Sequence, residues 1–204
     1  MLWHILLPLT LLVPAAWPVG VHCRSGPPRC LTPVGDAGPD AAPPPRLRSF
    51  SVPGRRVLVN VEGLEADALA SEFQEDAMAL LVEAKLEAEL SLTLCDGPFI
   101  QRLNAEWRGV DRETDVLSFP MDDDVIIGDV VVCVGVARRQ ADERGYELRD
   151  ELRVLLVHGL LHLLGYDHET GEEDAAEMRE AEGRLLRNLG WEGEGLVAAA
   201  EAGG

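Results

Sequence analysis

The spacing of hydrophobic and polar positions changes several times along the chain, and each change marks an element. Residues 57–61 alternate on β-branched side chains (Val57, Val59, Val61), which predicts a strand. Residues 64–90 carry Leu69, Phe73, Ala77, Leu80, Leu81 and Ala84 at helical spacing, with eight acids and one lysine on the other faces. That pattern predicts an amphipathic helix. Residues 91–95 predict a second strand. Asp96 is placed to cap a short helix reaching about Trp107, with Pro98 in its first turn. A polar loop spans 109–114. Residues 116–119 predict a strand stopped by Pro120, followed by an acidic turn at 122–124. Residues 125–134 predict another strand, with Gly128 and Asp129 as a candidate bulge. From Val136 the chain turns helical and breaks at Gly145 and Tyr146. It resumes as a strongly apolar helix over 147–164, with Gly165 just past its end. A last helix, 172–189, stops at Gly190. Strands first and helices last, with one early helix between strands, predict an α+β (mixed α/β) fold in which a small sheet is covered by helices.

The first 50 residues read differently. No acid occurs before Asp36, and the apolar stretch 2–19 is broken by Pro8, Pro14 and Pro18. Those prolines argue against a membrane-spanning helix. Residues 26–45 are rich in Pro and Gly and read as a linker. The division expected is a targeting leader and linker over 1–50, a folded domain over 55–191 and a flexible tail over 192–204. The leader fits a removable targeting peptide. It lacks the cationic start of a secretory signal, and it has the acid poverty but not the Ser and Arg richness of an organelle transit peptide. A mis-assigned start codon, leaving a cytoplasmic protein, is the third reading.

Composition narrows the function. The 204 residues carry 18 Lys+Arg against 36 Asp+Glu, a net charge of −18. This excludes a broadly basic protein that coats nucleic acid, but not a nuclease with a small cationic site. Lys85 is the one lysine, so arginine supplies nearly all the positive charge, and arginine suits bidentate phosphate contacts. Cys23, Cys30, Cys95 and Cys133 stand singly, with no CxxC pair. Neither a zinc ribbon nor a disulfide scaffold is indicated, and Cys95 and Cys133 read as buried free thiols.

Candidate chemistry concentrates late in the chain. His158, His162 and His168 fall within eleven residues, whereas the other two histidines, His4 and His22, lie in the leader. Helix positions four apart share a face, with Cβ atoms about 5–6 Å apart. Gly165 allows the chain to reverse and bring His168 back. Three neutral imidazoles with one open position suit a catalytic zinc ion. Asp167 is a candidate partner for such a site or a turn residue. The spacing matches the long zinc-protease pattern H-E-x-x-H-x-x-G-x-x-H, except that Gly159 stands where the protease has its general base. The spacing supports a metal, and Gly159 speaks against peptide hydrolysis.

A second informative run is Leu103-Asn104-Ala-Glu-Trp107-Arg108-Gly109, continuing through Thr114-Asp115-Val116-Leu117-Ser118-Phe119-Pro120. Together with Gly128-Asp129 and the histidine segment, it resembles the YbeY family of metal-dependent endoribonucleases, in particular the chloroplast-type members. The resemblance covers about 57–190. It implies a mixed four-stranded sheet with helices around it and a zinc-like ion on His158, His162 and His168. It further implies a role in ribosomal RNA maturation, notably at the small-subunit 3′ end, and in ribosome quality control. By motif position Arg108 matches the family's functional arginine. The implied partners are ribosomal RNA and the small ribosomal subunit, with ribosomal proteins or a GTPase as further candidates and no membrane. The implied location is a chloroplast or other ribosome-containing organelle.

The chemistry of the residues agrees. A metal can polarise a phosphoryl oxygen, and an arginine can hold the phosphate. An ion pair of Arg108 with Asp111 or Asp115 is the competing reading. Trp107 could stack on a base or pack in the core, and Thr114 and Ser118 could orient substrate or serve turn and strand hydrogen bonds. The leading expectation is a single-strand-specific, metal-dependent endoribonuclease. The alternatives are a zinc metallopeptidase-like hydrolase and a non-catalytic ribosome assembly factor.

Overall fold

In the computed structural model the described residues are 48–52, 54–121 and 125–202, so most of the leader and the acidic turn at 122–124 lie outside them. The elements follow the chain as β1 (Arg48–Val52), β2 (Arg55–Glu62), α1 (Asp67–Glu83), β3 (Glu89–Cys95) and α2 (Gly97–Arg108). Then come β4 (Val116–Pro120), β5 (Ile126–Cys133), α3 (Val134–Arg144), α4 (Leu148–Leu163), α5 (Glu172–Leu189) and α6 (Leu196–Ala202). Strands β2, β3 and β5 run parallel, and β4 pairs antiparallel with β5 at one edge. These are the four expected strands. A fifth, β1, extends the sheet as an antiparallel partner of β2, giving the order β1-β2-β3-β5-β4. The fold therefore begins before Arg55, earlier than the turn-rich linker suggested.

The parallel strands explain the layers. A parallel pair needs a crossover, and α1 supplies it between β2 and β3. Val57 and Val59 of β2, Leu90, Leu92 and Leu94 of β3, and Val130 and Val132 of β5 meet α1, α4 and α5 in the main core. The alternate residues Cys95, Val131 and Cys133 face the other side, where Ile100 and Leu103 of α2 and Leu117 of β4 close a smaller cluster. Both cysteines are buried and free, as their apolar surroundings predict.

Helix α4 is buried almost all round. Residues 154–161 are all buried, which explains why its sequence is apolar beyond a single stripe. Gly159 makes its close approach to the sheet workable. A Cβ there would lie 2.7 Å from Val130 Cγ1 of β5 and 3.2 Å from Ser118 Oγ of β4. Ser118 Oγ uses that proximity to donate to the Gly159 carbonyl at 3.2 Å.

Two boundaries differ from the sequence reading. Helix α1 ends at Glu83 rather than continuing to Leu90. Lys85 adopts a left-handed φ of 57°, and the Leu86 amide closes back on the Leu81 carbonyl at 3.0 Å, a C-terminal reversal that helical spacing does not reveal. Residues 192–204, expected as a flexible tail, contain helix α6, with Val197 buried in the main core. Leu196 and Val197 are too few apolar positions to show a helical period, so burial is what orders the segment.

Replacing Gly159 with alanine is expected to lower the denaturant midpoint. Overpacking of about 1–3 kcal/mol outweighs the gain in helix propensity of about 1 kcal/mol. Equilibrium unfolding in urea measures the difference.

Candidate metal centre

Helix α4 carries His158 and His162 one turn apart. Its end is shaped by Gly165, whose φ of 90° suits a residue without Cβ, and by the Tyr166 amide donating to the Leu161 carbonyl at 3.0 Å. That reversal does two things. It returns His168 to the helix, with its ring centroid 5.2 Å from that of His158 and 5.3 Å from that of His162. It also presents the Tyr166 carbonyl to His162 Nδ1 at 3.0 Å. Asp167 accepts from the Glu169 amide at 2.8 Å, a turn contact that shapes the strand of chain holding His168.

The hydrogen bonds set the tautomers. His158 Nδ1–H donates to Glu182 Oε1 at 2.8 Å, and both side chains are buried. His162 Nδ1–H donates to the Tyr166 carbonyl. Each ring is thereby left with an unprotonated Nε2, and these two nitrogens lie 3.0 Å apart. With both rings neutral in those tautomers, the two Nε2 lone pairs face each other. A cation between them turns that repulsion into attraction. Two imidazole nitrogens on one tetrahedral zinc, at about 2.0–2.1 Å each, lie about 3.3 Å apart. One nitrogen from each of the three histidines falls within 4.8 Å of the other two. Among the described residues this is the one such metal-compatible cluster, and its all-nitrogen donor set fits a zinc-type ion.

Electrostatics favours the neutral form of two of these candidate ligands. Burial, followed by repulsion from His158 and His168, lowers the His162 pKa to about 4. Burial, followed by His158, also lowers that of His168. Both imidazoles are therefore unprotonated at neutral pH, as metal binding requires.

Glu182 was not foreseen in the sequence. It lies on α5, between apolar residues at helical spacing, and nothing in that stretch separates it from the many surface acids. Its Oε2 accepts from the Val197 amide of α6 at 3.1 Å, so both carboxylate oxygens are engaged. Such a carboxylate behind a ligating histidine fixes the ring and raises its basicity.

The other candidate residues are placed by different contacts. Arg108 ends α2, is exposed, and forms no ion pair among the described residues. The two acids considered as its partners are occupied elsewhere. Asp111 accepts from Gln101, and Asp115 accepts from Thr114, Gln140 and the Val116 amide. Trp107 packs edge-on against Phe119 with centroids 5.9 Å apart. Ser118 and Phe119 are successive residues of β4, one bonded to α4 and the other packed on α2. The edge strand β4 thus links the arginine helix to the histidine helix.

Two outcomes follow for the metal centre. Glu182→Gln is expected to weaken zinc affinity about 10- to 100-fold, read by competition with a chromogenic chelator. In the metal-free protein, His162 binds its proton about pH 4 when folded and nearer pH 6.5 when unfolded. The unfolded chain therefore holds more protons between those values, and this site's contribution to stability falls as pH drops from 6.5 to 4. Wild type should lose stability relative to His162→Gln across that window in paired unfolding curves.

Comparison with known proteins gives a consistent picture. Residues 60–190 match the family described as Endoribonuclease YbeY. The chain is 52% identical over 121 residues to "Endoribonuclease YBEY, chloroplastic" of Arabidopsis thaliana, covering 55% of this chain and 20% of that much longer protein. It is 42% identical over 140 residues to "Endoribonuclease YbeY" of a Sulfurihydrogenibium species, covering 66% of this chain and 92% of the relative. The solution structure of TM1509 from Thermotoga maritima aligns with a TM-score of 0.49 at 28% identity, over 64% of this chain and 88% of that one. With the family match spanning most of the folded residues and the bacterial relative matched nearly end to end, this chain belongs to the YbeY endoribonuclease family.

Proposed function

We propose that this chain is a metal-dependent endoribonuclease that cuts single-stranded RNA during ribosomal RNA maturation, notably at the small-subunit 3′ end, with one zinc ion held by His158, His162 and His168. The observation that carries the reading is the pair of Nε2 atoms 3.0 Å apart, joined by His168, in a chain of this family. A zinc ion there would supply Lewis-acid polarisation of a phosphoryl oxygen and a lowered pKa for the attacking hydroxyl or water.

The residues divide the remaining work. Glu182 and the Tyr166 carbonyl hold the two helix imidazoles in the ligating tautomer and orientation. Arg108, exposed and without an ionic partner among the described residues, offers its guanidinium to a phosphate and offsets charge that develops in the transition state. An RNA strand crossing the β4 edge would pass from the arginine helix to the histidine helix. Thr114 and Ser118 support this by shape: Thr114 bonds Asp115 in the loop before β4, and Ser118 ties β4 to α4. Trp107 acts by packing on Phe119 and so fixing the end of α2 beside Arg108. Peptide hydrolysis is disfavoured for a steric reason. Position 159 faces Val130 and Ser118 with no room for a glutamate base.

The likeness to a chloroplastic relative supports plastid residence, which would place the chain beside organellar ribosomes, with ribosomal RNA and the small subunit as partners. A fluorescent fusion of residues 1–50 tests the address. The catalytic reading is tested by Arg108→Glu. Zinc content should equal that of wild type, and single-turnover cleavage of single-stranded RNA should fall by roughly 100-fold or more. Wild-type rates in that variant would remove Arg108 from the reaction. Zinc-loaded wild type that supports ribosomal RNA maturation yet cuts nothing would instead favour a non-catalytic assembly factor.

A further inference from the structure

Beside the histidines lies a cavity of about 380 Å³, lined by His158, His168, Ala175, Leu196, Val197 and Ala200. Two of these are the candidate metal ligands. The other four are aliphatic, one from α5 and three from α6. Helix α6 lies beyond residue 190, where the family match ends. It is nevertheless built into the site. Val197 is 6% exposed and its amide holds Glu182, while a Cβ at Gly195 would run into the same carboxylate. The segment that closes the pocket and the carboxylate that orients His158 are therefore one structural unit.

We infer that this cavity is a nucleobase subsite, which receives the base of a nucleotide next to the scissile phosphate. The inference rests on the ribonuclease reading above. Continuity with the metal centre carries it: a phosphate approaching His158 and His168 brings its own nucleoside to the wall formed by Ala175, Leu196, Val197 and Ala200. That wall is apolar, and an aliphatic surface takes the face of any base. The four aliphatic lining residues offer no side-chain hydrogen-bonding group. Glu182, behind His158, has its two oxygens engaged by His158 and Val197. The subsite therefore accepts bases without discriminating among them. It also favours an unpaired base, because a base in a duplex has to be unpaired and unstacked before it can turn into a recess. Preference for single strands then follows from the shape of this pocket rather than from sequence readout.

The test uses the zinc-loaded full chain and fluorescence anisotropy. The probes are a short single-stranded RNA and a ribose-phosphate oligomer of equal length without bases. Wild type is expected to bind the intact RNA about 10-fold more tightly than the abasic oligomer. Ala200→Trp, which fills the pocket from its exposed rim, is expected to keep zinc and to abolish that difference. Should Ala200→Trp lose zinc, Ala175→Leu narrows the same pocket from α5 and takes its place. Equal binding of both probes by wild type overturns the inference, as does a 10-fold difference that survives in a zinc-loaded pocket-filling variant. Because the readout is binding, it stands apart from the cleavage assay. Loss of the ribonuclease reading would show as wild type that cuts no RNA, whatever the two probes do here.

Discussion

Two nitrogen lone pairs held face to face at 3.0 Å are the constraint around which this molecule is arranged. The surrounding structure holds them there. It does so from behind: Glu182 grips one ring and the Tyr166 carbonyl the other, each through Nδ1. Those two grips draw in the rest of the helical layer. Glu182 requires α5 to lie along α4 and α6 to return with the Val197 amide. The Tyr166 carbonyl requires the left-handed turn at Gly165. For an ion bound there, binding free energy would add to folding free energy.

The sheet contributes rigidity to the same end. Helix α4 cannot rotate to separate its histidines, because Gly159 sits directly on Val130 and its carbonyl is bonded by Ser118. At its other end, Arg149 and Arg153 both bond Asp76 of α1, which fixes the helix against the opposite side of the core. A buried carboxylate shared by two arginines is an expensive arrangement to desolvate, and breaking it by removing one partner would leave charge stranded. Such networks set position more than they set stability. What they position here is the axis on which two ligands stand.

The histidines were legible because their spacing is a geometric statement: four residues apart on a helix is one face, and a glycine three residues later is a reversal. The four expected strands were legible for the same kind of reason, since alternation and β-branched residues state which face is buried. What escaped were features decided by tertiary contact. Glu182 looks like any of the acids of α5 until α4 is laid beside it. Helix α6 has too few apolar positions to announce itself, and it forms because Val197 finds the core. The end of α1 was hidden because Ala84 still falls on the apolar face while the backbone reverses at the next residue, Lys85. Strand β1 lies in a stretch that reads as the end of a linker, and pairing with β2 is what makes it a strand.

The acidic composition and the proposed substrate are reconciled by where the arginines are spent. Arg56, Arg139, Arg144, Arg149 and Arg153 each face a carboxylate, and Arg102 stacks over Phe99. Arg108 is different, lying exposed at a helix end with neither neighbouring acid turned toward it. In a protein of net charge −18, that makes Arg108 a candidate for one phosphate contact. Each such contact contributes a salt slope of only about 0.7 on a single strand. At one such contact, counterion release is a small contribution to the affinity for RNA. The metal centre and the apolar recess beside it have to carry what electrostatics does not. Both act most readily on a nucleotide already separated from its neighbours, so the weakness of the long-range field and the preference for an unpaired base are two consequences of one surface.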